Sequence, residues 1–65
     1  MKYVFTEHAR EQMMTRGVEP HEAIRVIEQG SKTRQTDGLL ASYGYIQVAY
    51  KVRGTVTFVK TVMLR

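Results

Sequence analysis

Cysteine is absent from the 65 residues, so neither a disulfide nor a zinc–thiolate cluster can staple the fold. No apolar run approaches the ~20 residues needed to cross a bilayer. After Lys2 the run Tyr3-Val4-Phe5 already ends at Thr6, which does not match a signal peptide. These absences predict a reducing, cytoplasmic setting and no membrane partner. The two histidines, His8 and His21, form no recognised ligand spacing with each other or with carboxylates, which predicts no metal centre. A Gly-rich phosphate loop is missing too, and no cofactor is expected. Internal repeats, linkers and low-complexity tracts are also lacking, so residues 1–65 read as one domain.

What is present is globular in character, 43% hydrophobic and 25% charged. A chain this short buries only about 60% of its unfolded surface, so its core must be compact or shared. Acid is scarce in one half. Residues 1–30 carry Lys2, Arg10, Arg16 and Arg25 against Glu7, Glu11, Glu19, Glu22 and Glu28, a net −1. Residues 31–65 carry Lys32, Arg34, Lys51, Arg53, Lys60 and Arg65 against Asp37 alone, a net +5. A basic half suits a polyanion such as nucleic acid, although surplus charge also serves solubility.

Along the chain, Tyr3, Val4 and Phe5 predict a short strand over 2–5. Thr6 follows as a helix N-cap, with Glu7 in the first turn where the dipole favours an anion. Phe5, Ala9 and Met13 form the expected buried stripe with Met14 beside it, and Gly17 ends the helix after Arg16. Pro20 opens a second helix, with Val18 and Ala23 placed as a hydrophobic staple and Gly30 at its end. A polar edge strand is expected over 32–36, a turn at Asp37-Gly38, one long strand over 39–52 with Gly44 as a bulge or bend, and a last strand over 55–64. The expected fold is therefore α+β, a four-stranded antiparallel sheet with an N-terminal helical hairpin on one face, in the order β-α-α-β-β-β.

The register of the last hairpin decides which side chains face out. A three-residue Val52-Arg53-Gly54 loop pairs Lys51 with Thr55 and buries Val56 and Phe58 beside Ile46, Val48 and Tyr50. It leaves Lys60 as an anomaly on the apolar face. A two-residue Arg53-Gly54 loop shifts the pairing by one, and the first register is preferred here.

His8, Gln12 and Arg16 recur every four residues along one flank of the first helix. His8 could act as a proton donor or acceptor, or simply extend the cap network. Arg16 could grip phosphate or satisfy C-terminal carbonyls. Tyr43, Tyr45 and Tyr50, with Lys51 and Arg53 nearby, suit a stacking surface for single-stranded RNA, and Arg34 adds to the same basic half. Aromatic residues are equally at home as core in strands.

The stretch FTEHAREQMMTRGV, residues 5–18, resembles the opening of a small bacterial and phage domain family of unknown function. Its members begin Phe-Thr-x-His-Ala, continue through Arg-Met and close the helix with Arg-Gly and Ile or Val. Glu19-Pro20-His21-Glu22 and Val59-Lys60-Thr61-Val62 fit the same pattern. That family is similar in layout to the BrnT and RelE toxins, which cleave RNA without metal. The resemblance implies a RelE-like layout and supports His8, Arg16 and Gly17 as motif residues. The chain departs from the pattern at Gln12, where the family usually has arginine.

Two functions follow as expectations. One is a metal-independent endoribonuclease of the toxin type, with His8, Arg16 and Lys60 catalytic and Tyr45, Lys51, Arg53 and Arg34 holding the nucleic acid. The other is a binding module for nucleic acid or protein without turnover. RNA or ribosome-bound mRNA, a cognate antitoxin and a second copy of the chain are the candidate partners. Both functions require the first-helix flank and the basic strands to meet around one hollow.

Overall fold

The computed structural model describes residues 2–65. Its elements run β1 (Lys2–Phe5), α1 (Glu7–Arg16), α2 (Pro20–Gln29), β2 (Ser31–Gln35), β3 (Gly38–Tyr43), β4 (Ile46–Arg53) and β5 (Val56–Leu64). The five strands form one sheet in the order β1-β5-β4-β3-β2, with β1 parallel to β5 and the other pairs antiparallel.

This corrects the expected four-stranded antiparallel sheet in two respects. The segment 39–52 is two strands, because the chain reverses at Gly44-Tyr45 and pairs Tyr43 with Ile46. Gly44 has φ 62, and glycine at the first position of a two-residue turn suits the tight hairpin type that matches strand twist. The sheet is also mixed, since β1 lies alongside β5 in the same direction, pairing Lys2 with Val56 and Phe5 with Val59.

The last hairpin differs from both expected registers. Its loop is Gly54-Thr55, with Gly54 at φ 61, and Arg53 pairs with Val56, Val52 with Thr57 and Lys51 with Phe58. The preferred pairing of Lys51 with Thr55 is therefore replaced, and Val56 and Phe58 change faces while Thr57 enters the core. Tyr50 then pairs with Val59 but Ala49 with Thr61, so Lys60 is the additional residue of a β-bulge. The bulge resets the alternation, which lets Val59 and Val62 both be buried although they are three residues apart. It also removes the Lys60 anomaly, because the lysine leaves the apolar face.

Both helices cover the same face, α1 over β5 and α2 over β3 and β4. Thr6 caps α1 as expected, its hydroxyl oxygen accepting from the Ala9 N–H at 3.1 Å. The same hydroxyl donates to the Lys60 carbonyl at 3.3 Å, and the Thr6 N–H donates to the Val59 carbonyl, fastening the cap to the sheet. Pro20 starts α2, and Glu19 and Glu22 form a reciprocal capping box around it. Gly30 admits the close approach of α2 to β3, since a Cβ there would run into the Ser42 and Val26 carbonyl oxygens.

The core gathers Ala9 and Met13 from α1, Ala23, Val26 and Ile27 from α2, Val18 from between them, Ala41 from β3, alternate residues of β4, and Val59 and Val62 from β5. Tyr3, Phe5 and Leu39 pack against its margin. Met14, expected beside the stripe, is instead 85% exposed. No helix among the described residues is long and apolar enough to cross a membrane.

Candidate nucleic-acid interface

The fold sorts charge by layer. Helices and their caps hold Glu7, Glu11, Glu19, Glu22 and Glu28 against Arg10, Arg16 and Arg25. The strands, their turns and the last residue hold Lys2, Lys32, Arg34, Lys51, Arg53, Lys60 and Arg65 against Asp37. Four of these cations belong to one end of the sheet's open face, the face without helices. Lys2, Val56 and Arg53 form one rung across three strands, and Val4, Phe58 and Lys51 form the next. Lys60 follows at the bulge. The half-buried Phe58 therefore has four cations around it, on a surface that no helix covers.

Two of those cations share an anion. The turn between β2 and β3 brings Asp37 to Lys51 at 2.7 Å and to Lys60 at 3.3 Å, and Lys60 also donates to the Asp37 carbonyl. The hydrogen bond from Lys51, then that from Lys60, holds the Asp37 carboxyl below its ordinary range. Two ammonium groups facing one carboxylate leave the cluster net cationic.

The expected site residues fall into four groups. Lys51, Arg53 and Lys60 meet on the open face as described. Arg34 lies on the edge strand β2, opposite Leu39, and with Lys51, Thr36 and Val52 lines a shallow hollow of about 400 Å³. Tyr45 stands in the β3–β4 turn, 64% exposed, beside a second hollow of about 190 Å³. His8 and Arg16 are exposed on α1 and line neither hollow, nor do Arg53 and Lys60.

Gln12 shows what the α1 flank does. Its Oε1 accepts from the Val62 N–H at 3.0 Å. β1 ends at Phe5, opposite Val59, so among the described residues the edge of β5 beyond that point lacks a strand partner, and the glutamine carbonyl stands in for one. His8 and Arg16 lie one turn to either side of Gln12 and are exposed, so Gln12 is the member of this flank that meets β5 through a hydrogen bond. An arginine at position 12 has no acceptor to offer the Val62 N–H.

On the covered face, the Tyr3 hydroxyl donates to Glu28 at 3.2 Å. Burial raises the Tyr3 pKa, and the Glu28 hydrogen bond and charge raise it further. Burial also raises that of Tyr50.

Reasoning from sequence missed Phe58, because the preferred register placed it inside. The signal that could have found it was Lys60. A lysine between Val59 and Val62 suits a bulge better than a snorkelling core residue. Among the described residues no group of three or more His, Cys, Asp or Glu could hold a metal ion. No family model, curated protein or solved structure matches the chain.

Proposed function

We propose that this is a small cytoplasmic, toxin-like domain that binds single-stranded RNA on the open face of its sheet, without turnover. The observation that carries the reading is Phe58 amid Lys2, Lys51, Arg53 and Lys60 on an uncovered sheet. A half-buried aromatic ring at the sheet surface gives a base a stacking platform that tolerates any sequence, and the cations around it meet the phosphates. The segregation of carboxylates into the helical layer supports the same reading, since a polyanion approaching the strands meets Asp37 as their one acidic group. The resemblance of residues 5–18 to a family with toxin-like layout supports RNA as the polyanion.

Binding is favoured over cleavage because Lys60 is engaged by Asp37 while His8 and Arg16 belong to the helix flank. An acid–base pair needs both groups within hydrogen-bond reach of one phosphate.

Fluorescence anisotropy with a labelled single-stranded RNA in EDTA tests the reading. The affinity should fall with salt at a log–log slope of about −2, roughly 0.7 for each of the three positive charges left once Asp37 screens one. The RNA should stay intact. Absence of binding overturns the proposal, and RNA cut in EDTA by wild type but not by His8→Ala replaces it with the nuclease.

A further inference from the structure

The 190 Å³ hollow lies at the other end of the sheet from Phe58, between α2 and the β3–β4 turn. It is smaller than the roughly 300–1,000 Å³ of pockets for drug-sized ligands, and suits a single ring system. Its floor is apolar, from the buried Val26 and Ile46. Tyr43 and Tyr45, on either side of Gly44, line it with rings that are 45% and 64% exposed. Large aromatic side chains left this open on a tight turn are unusual as packing and useful as stacking surfaces.

The polar lining is one carboxylate and one guanidinium, Glu22 and Arg25, a turn apart on α2. Glu22 is held in place, because its Oε1 accepts from the Glu19 N–H at 2.9 Å in the capping box. A carboxylate offers about four acceptor positions, of which the cap uses one. The turn is held as well, since the Arg65 N–H donates to the Tyr45 carbonyl at 2.8 Å and continues the β4–β5 ladder past Leu64. That bond also brings Arg65 to this end of the molecule.

We propose that this hollow takes one guanine base of a bound RNA, stacked on the tyrosines, with Glu22 accepting from its N1–H and N2–H₂ and Arg25 meeting the adjoining phosphate. The inference rests on the RNA reading above and adds a base preference to it. An ionised carboxylate only accepts, so it selects a base with adjacent donors on one edge. Guanine has that pair, whereas adenine, cytosine and uracil each place an acceptor beside the donor on the same edge. Arginine suits the phosphate because its fork meets two oxygens at once.

Amide NMR titration of the full chain with GMP, AMP, CMP and UMP tests it. GMP should shift Glu22 and residues 43–46 and bind at least about five-fold more tightly than AMP, the low end for one bidentate base contact. Glu22→Gln, which keeps a capping side chain, should erase that preference with the spectrum still dispersed. Tyr45→Ala should weaken all four nucleotides. Equal shifts from all four, or none at the turn, overturn the guanine pocket. A guanine-free oligouridine is titrated alongside. Its shifts at Lys51, Phe58 and Lys60 report the open-face reading separately, so either idea can fail alone.

Discussion

The two faces of the sheet are made by alternate residues of the same strands, yet they do opposite work. On the covered face Val48, Val59 and Val62 are fully buried under the helices. On the open face Val4, Ala49, Val56 and Phe58 stay half-exposed, bordered by lysine and arginine. Composition does not separate the faces, since valines and an aromatic occur on both. Register does, and register is set by a two-residue turn and one additional lysine. The packed interior of the covered face should therefore govern stability and the open face RNA affinity, with the hollow between α2 and the β3–β4 turn adding only base preference.

The most severe way to break that contrast is to substitute neighbours that the fold treats differently. Met13 is 6% exposed and Met14 is 85% exposed. Met13→Ala should cost about 2–5 kcal/mol, as deletions from a packed core do. Met14→Ala should stay within about 0.5 kcal/mol. Urea unfolding of the two variants measures both, and similar losses would mean that α1 does not sit on β5 as described.

A smaller effect belongs to the seam between helix and strand. Gln12→Ala strips the Val62 N–H of its acceptor and should cost about 1–3 kcal/mol. Gln12→Arg should destabilise in the same direction, because guanidinium only donates. A Gln12→Arg chain as stable as wild type would show that the edge of β5 does not depend on this bond.

Phe58→Ala sharpens the comparison from the other side. It should weaken single-stranded RNA by about 1–3 kcal/mol, the range for one stacked base. Its unfolding midpoint should move less than that of Met13→Ala. If stability falls and RNA affinity holds, Phe58 is a packing residue and the open face loses its stacking platform.

Local features were legible in the sequence because local chemistry decides them. Thr6 as a cap, Gly17 as a left-handed stop and Pro20 as a helix start each satisfy backbone groups within a few residues. The last strand was legible for the same reason, whereas the reversal at Gly44 that divides 39–52 into β3 and β4 was not. Pairing was not. Whether β1 joins β5 depends on residues more than fifty positions apart, and a parallel neighbour leaves no turn signature between the two strands. Asp37 with Lys51 and Lys60 likewise exists only after β2 to β5 have assembled. The excess of positive charge is plain in one half of the chain, but the face that carries it follows from the bulge.

The smallest effect concerns the carboxylate within the basic face. Asp37 has its carboxyl pKa lowered by Lys51 and Lys60, so its contribution to stability is full above the carboxylate range of the unfolded chain. That contribution is lost as pH falls through the lowered value of the folded state. Asp37→Asn should therefore lower the unfolding midpoint slightly near neutrality, and the difference from wild type should vanish in acid. Binding should move the other way. The carboxylate competes with phosphate for two ammonium groups, and removing it should tighten RNA and steepen the salt slope by about 0.7 for each further phosphate neutralised. Wild type should approach the variant's affinity as Asp37 protonates. Anisotropy at neutral and acidic pH reads this convergence, and an Asp37→Asn chain that binds RNA more weakly would mean that the aspartate organises the face instead of screening it.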